Sequence, residues 1–181
     1  MSASNPNTVT IVNQSGVTIT SLALGHYAGI SFVPPFGSDP ILSVGNFANG
    51  ATSPSGTAFV ADGLADYWIM GVIMPDSAEP FVLVAFVPPV PYKKCDTPDN
   101  GSTQFIIGAE SNGSISVTIN TFNQDGSSDG SCSAVMLDAS TLSDVWEKIV
   151  ELIIEWLGDG AAAAAQSRRA KASPAKEVRH A

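Results

Sequence analysis

The segment "SISVTINTF", residues 114–122, alternates without a break: Ile115, Val117 and Ile119 fall on one side, and Ser114, Ser116, Thr118 and Asn120 on the other. Successive side chains of a strand point to opposite faces, so this is the pattern of a strand with one face in a core and one in water. The same period of two recurs along most of the chain. "TVTIVN" (8–13) and "GVTITSL" (16–22) flank the turn residues "NQSG" and read as a hairpin. "TQFIIGA" (103–109) and residues 114–122 read as a second hairpin around "ESNG". "ISFV" (30–33), "ILSVGNF" (41–47), "TAFVAD" (57–62) and "SAVMLD" (133–138) are further short strands. "DYWIMGVIM" (66–74) and "PFVLVAFV" (80–87) are nearly continuous in apolar character, as expected of strands buried on both faces. With four prolines and no periodicity, "PPVPYKKCDTPDNGS" (88–102) reads as a surface loop.

Short strands separated by Gly/Pro turns predict a mainly β fold, a single antiparallel β-sandwich or barrel over residues 8–138. Residues 1–7 read as a flexible N-terminus. A C-terminal amphipathic α-helix is predicted over 140–158, followed by an Ala-rich, basic, disordered tail over 159–181. Ser140, Thr141 or Ser143 can cap the helix, and Gly158 and Gly160 stop it. On a helical wheel Asp144, Glu147, Lys148, Glu151 and Glu155 share one narrow stripe. The apolar remainder is wider than a helix resting on one sheet requires. Val145, Trp146, Ile149, Val150, Ile153, Ile154, Trp156 and Leu157 are therefore the candidate interaction surface, for a protein partner or a second copy of the chain in a homo-oligomer.

Charge narrows the partners. Residues 1–160 carry three basic and sixteen acidic side chains, whereas the tail carries five basic and one acidic. So acidic a body repels a phosphate backbone, which argues against nucleic-acid binding by the main domain. Anionic lipid is disfavoured for the same reason, leaving neutral lipid or glycan as possible ligands. The N-terminus has neither the basic start nor the apolar stretch of a secretory signal. No run is long enough for a transmembrane segment. These features predict a protein that is cytoplasmic or exported without a signal peptide. Cys95 and Cys132 lie in polar, turn-rich stretches, and without a signal peptide free thiols are the favoured reading.

Catalytic signals are sparse. Of the two histidines, His26 lies at a strand end in "LALGHYAG" and His180 in the tail, and no Gly-x-Ser-x-Gly elbow accompanies them. Asp62 and Asp66, like Asp96 and Asp99, read as turn residues. Asn123, Asp125 and Asp129 in "NQDGSSDGS" are the metal candidates, with oxygen ligands at odd spacings and Gly126 for a sharp turn. The spacing fails the EF-hand pattern, because Cys132 stands where a bidentate Glu belongs. No cofactor is expected. Adjacent aromatics supply the other resource: His26, Tyr27, Tyr67 and Trp68 form a candidate ligand surface for a sugar or lipid headgroup.

"FANGATSPSGTAFVADG" (47–63), following "TVTIVNQSGVTITSLAL" (8–24), resembles the aegerolysins. The shared features are the opening strand with Asn and Gly and the turn Ser53, Pro54, Ser55, Gly56, Thr57 leading into a strand. The resemblance covers about a third of the chain, and the C-terminal helix and tail are additions to it. It implies a small acidic β-sandwich, usually without a signal peptide, in a family several of whose members bind membrane lipids and recruit a pore-forming partner. The function most consistent with these features is a non-catalytic binding module for a lipid, glycan or protein surface, with the helix as docking element. A self-assembling structural protein is the alternative, and an enzyme of unrecognised type the third.

Overall fold

The computed structural model describes residues 4–29, 39–61, 65–75, 77, 79–87, 100–143 and 146–158. Nine strands form one sheet: β1 (Ser4–Asn13), β2 (Ile19–Gly29), β3 (Leu42–Phe47), β4 (Gly56–Ala61), β5 (Ala65–Ile73), β6 (Phe81–Val87), β7 (Ser102–Ser111), β8 (Ser114–Phe122) and β9 (Ser128–Asp138). A 3-10 turn (Ala139–Thr141) and one helix, α1 (Glu147–Leu157), follow. The mainly β fold with one C-terminal helix is as the alternation predicts. The expected strand at 30–33 and the expected tail at 159–181 lie outside the described residues.

The spatial order β3-β2-β5-β6-β9-β8-β7-β1-β4 curls into a nearly closed barrel. It differs from an all-antiparallel sheet at one ladder, where β1 and β7 run parallel, with Thr8 beside Ser102 and Asn13 beside Ile107. The predicted hairpin of residues 8–13 and 16–22 is therefore not formed. Hydrogen bonds after β1 explain why. Gln14 N–H donates to Ile107 O at 2.8 Å and Gly16 N–H to Asn49 Oδ1 at 2.8 Å, so "NQSG" crosses the barrel end instead of folding back. The second hairpin forms as predicted, turning at Asn112 and Gly113, whose φ angles of 54° and 81° suit a tight Asn-Gly turn.

The N-terminus is also more ordered than its composition implies. Ser4–Asn7 extend β1 by pairing with β4, before β7 joins at Thr8. Pro6 sits in this one-sided stretch, where a missing N–H costs least. Asn7 is buried and its Oδ1 accepts from Thr103 Oγ1 at 2.8 Å.

Two apolar cores lie on opposite sides of the sheet. Inside the barrel, Val9, Ile11, Leu22, Leu24, Trp68, Met70, Phe105, Ile107, Val117 and Ile119 pack together. Outside, Ala23, Ile69, Ile73 and Val82 meet Ile149, Leu152, Ile153 and Trp156 of α1. The near-continuous apolar runs of β5 and β6 follow from this, since these strands are buried on both faces.

The seam between the outermost strands, β3 and β4, is held by close contact and by Asn13. A Cβ on Gly56 would come within 2.8 Å of Ile41 O, so only glycine lets β4 approach β3 this closely. Asn13 Nδ2 donates to Phe47 O at 2.9 Å and Val17 O at 2.8 Å, and its Oδ1 accepts from Ser15 N–H at 2.9 Å. One buried side chain thus joins the ends of β1 and β3 to the crossing loop. The turn Ser53–Thr57 belongs to the same seam: Ser53 N–H donates to Ile11 O at 2.7 Å and Ile11 N–H to Ser53 Oγ at 2.9 Å.

Candidate functional site

The helix is the first surface to place. Ile149, Val150, Ile153, Trp156 and Leu157 are buried, Trp146 and Ile154 are half-buried, and Val145 lies outside the described residues. Glu147, Lys148, Glu151 and Glu155 are exposed, as the wheel predicts. The breadth of the apolar side has a local cause. Beneath α1 the outer face of β2 and β5 carries Ala23, Gly25 and Gly71, which form a trough. A Cβ on Gly71 would overlap Ile153 Cγ2, and one on Gly25 would overlap the ring of Trp156. Seated this deep, the helix buries its flanks as well as its central stripe. No second partner is needed to account for the width. Capping differs too. Trp146 occupies the N-cap without a side-chain bond, while Ser140 and Thr141 belong to the 3-10 turn with Asp138. Gly158, at φ 94°, stops the helix as predicted.

The four residues predicted to share a ligand surface divide between the two faces. In the β2–β5 ladder His26 stands beside Trp68 and Tyr27 beside Tyr67. Alternation turns His26 and Trp68 into the barrel and the two tyrosines outward, where their ring centroids are 5.8 Å apart. Inside, His26 and Trp68 have ring centroids 4.6 Å apart, and Trp68 meets Phe105 edge-on at 5.2 Å. Asp66 joins them. It is no turn residue but a member of β5 beside Ala28, and its Oδ1 lies 2.9 Å from His26 Nε2. The two side chains are 5% and 7% exposed.

The metal candidates form a turn. Asp125 Oδ1 accepts from Ser127 N–H at 2.9 Å and Ser127 Oγ–H at 2.6 Å, and Asn123 Nδ2 donates to Ser127 Oγ at 3.2 Å. Asp129 lies on β9, where Thr121 Oγ1 is 3.3 Å from its Oδ2. Among the described residues no three His, Cys, Asp or Glu side chains are grouped to hold a metal ion. The Ser127 hydroxyl, then the Ser127 N–H, hold the Asp125 carboxyl below its ordinary value of 3.8. The turn is therefore stabilised above that value and loses the contribution as pH falls through the lowered one. The Ser127 amide proton resonance should titrate with its midpoint below pH 3.8. Movement complete above 3.8 would contradict the bond.

Cysteine is a further correction. Cys132 on β9, half-buried against the barrel core, is in a disulfide rather than a free thiol. Cys95 lies outside the described residues.

The remaining outer face, across β9, β8, β7, β1 and β4, is lined mainly by uncharged side chains, with the exposed Asp129 at its β9 end. Register aligns its side chains in rows: Thr10, Gln104, Asn120 and Ser131 form one, and Val12, Ile106, Thr118 and Ser133 the next. Thr57, Thr8 and Ser102 begin a third. Strand geometry sets about 4.8 Å between neighbours in a row and about 6.7 Å between rows. The first row is internally bonded, since Ser131 Oγ–H donates to Asn120 Oδ1 at 2.8 Å and Asn120 Nδ2 to Gln104 Oε1 at 3.4 Å. Phe59, beside Thr57 on β4, is 60% exposed at the margin of this face, and Val135 is exposed at the other. Asp125, Asp138, Glu110 and the helical glutamates lie off this grid, at strand ends, turns and α1. Sequence alternation exposes the Ser/Thr side of β8, but only register shows that four strands align theirs.

No known protein-family model, curated protein or solved structure matches the chain.

Proposed function

We propose that the chain is a non-catalytic binding module for a neutral glycan, recognised on the outer face of β9-β8-β7-β1-β4. The observation that carries this reading is the aligned, uncharged grid of hydroxyl and amide side chains, centred on the bonded row Gln104–Asn120–Ser131, in an otherwise acidic body. A sugar presents hydroxyl edges and an apolar C–H face. Rows of Ser, Thr, Asn and Gln match the edges, and the exposed ring of Phe59 offers a stacking surface. Side chains held in place by their neighbours and by the sheet lose little freedom on binding, which favours affinity. The absence of charge leaves little attraction for ionic ligands and predicts binding that hardly depends on salt.

The test is co-sedimentation with cellulose, chitin and starch, alongside neutral phosphatidylcholine vesicles. The expected result is retention on at least one polysaccharide, unchanged by added salt, and lost in Thr118→Glu, which places a charge in the grid. Retention on vesicles alone would replace this reading with the lipid recognition that an aegerolysin-like chain implies. No retention on any of the four would end it.

A further inference from the structure

Asparagine followed by glycine occurs three times, at Asn49–Gly50, Asn100–Gly101 and Asn112–Gly113. This dipeptide carries its own chemistry. Glycine has no side chain to keep its backbone nitrogen away from the carboxamide carbon, Cγ, of the asparagine before it. Attack needs a carboxamide free to rotate, a glycine N–H without an acceptor, and access for solvent base. The fold meets these needs unequally.

At Asn49 both reacting groups are engaged. Its Oδ1 accepts from Gly16 N–H at 2.8 Å, and Gly50 N–H donates to Asn13 O at 2.7 Å. Asn100 is exposed, but Gly101 is buried and its carbonyl accepts from Thr8 N–H at 3.0 Å. Asn112 differs. It is exposed at the tip of the β7–β8 hairpin, where its φ of 54° and the 81° of Gly113 make a two-residue turn. Ser111 pairs with Ser114, and the Gly113 carbonyl accepts from Asp138 N–H at 3.3 Å. These bonds fix the ends of the turn and leave its middle open. Neither the Asn112 carboxamide nor the Gly113 N–H has a hydrogen-bond partner among the described residues.

We infer that Asn112 is a site of spontaneous deamidation in the folded chain. Solvent base removes the Gly113 amide proton, and the nitrogen forms a bond to Asn112 Cγ. The Cγ–Nδ2 bond breaks, and Nδ2 leaves as ammonia, taking its third proton from water. Water then opens the succinimide ring at either carbonyl, giving aspartate or isoaspartate. Both products add a negative charge to the turn. The isoaspartyl product also adds a carbon to the main chain of a two-residue turn, which loosens the Ser111–Ser114 end of the ladder. The site lies at the opposite end of β7 and β8 from the Gln104–Asn120 pair. It is independent of the glycan reading, and either can fail alone.

The experiment incubates the full, unaltered chain in mildly alkaline buffer, native and in urea, and follows peptides spanning each Asn-Gly pair by mass spectrometry. In the native chain Asn112 should convert first, about tenfold or more faster than Asn49, where two hydrogen bonds must open before attack. In urea the pairs should convert at similar rates, because only the fold distinguishes them. Amide exchange at Ser111 and Ser114 should rise with the fraction converted. Conversion of Asn49 or Asn100 ahead of Asn112 in the native chain would overturn the proposal. So would an Asn112 that converts in urea and stays intact in the native chain.

Discussion

Gly71→Val is expected to destabilise the chain by about 3 kcal/mol and to release α1 from the sheet. Glycine 71 lies on the floor of the trough, where any Cβ overlaps Ile153 Cγ2. The helix cannot slide sideways to escape, because Trp156 is seated over Gly25 in the same trough and Leu157 O accepts from Ser21 Oγ–H at 3.2 Å. Lifting it exposes Ile149, Leu152 and Ile153, and each fully buried side chain of this size contributes about 1.5–3 kcal/mol. Gly45→Ala is the matched control. Its Cβ would meet only Thr20 O at 4.0 Å, so little change is expected. Urea unfolding followed by far-ultraviolet circular dichroism reads both, with hydrogen exchange across 147–157 reporting release of the helix. Equal midpoints for Gly71→Val and Gly45→Ala would show that the trough does not seat the helix.

The second large effect is expected at Asn13. Asn13→Ala leaves Phe47 O and Ser15 N–H without the side-chain partners that this buried residue gives them. An unmet buried polar group costs about 1–3 kcal/mol, so a loss of roughly 3 kcal/mol is expected in total. Asn13→Asp retains the acceptor for Ser15 but loses both Nδ2 donors and buries a charge, and it should be no better tolerated. The effect should be regional: exchange of amides in β3 and residues 48–53 should rise before that of β7 and β8. Uniform loss across all strands would place the role of Asn13 in the whole barrel rather than in its seam.

The elements were legible where a single segment carries its own signal. Ile115, Val117 and Ile119 alternate with Ser and Thr because β8 has one dry face, and Gly158 ends α1 through its own backbone. Pairing beyond the β7–β8 hairpin was not, because it depends on contacts far apart in sequence. Nothing in "TVTIVNQSGVTITSL" shows that Val12 aligns with Ile106 in a parallel ladder, or that Gln14 will donate to Ile107 O. The pair His26–Asp66 is hidden for the same reason, being brought together by the β2–β5 register across forty positions. Asp suits turns, which favours a turn at Asp66, yet "DYW" also sets it two residues from Trp68, on the same face of any strand. The wheel of α1 shows the breadth of its apolar face but not Gly25 and Gly71, the trough beneath it.

The Gln104–Asn120–Ser131 row is also where the functional account is most open to contradiction. With the retained polysaccharide's soluble oligosaccharide added to nitrogen-labelled chain, the side-chain amide signals of Gln104 and Asn120 should shift and saturate together, while the Trp156 indole signal stays in place. A shift of Trp156 and the helix amides, with Gln104 and Asn120 unmoved, would contradict the account and return recognition to α1.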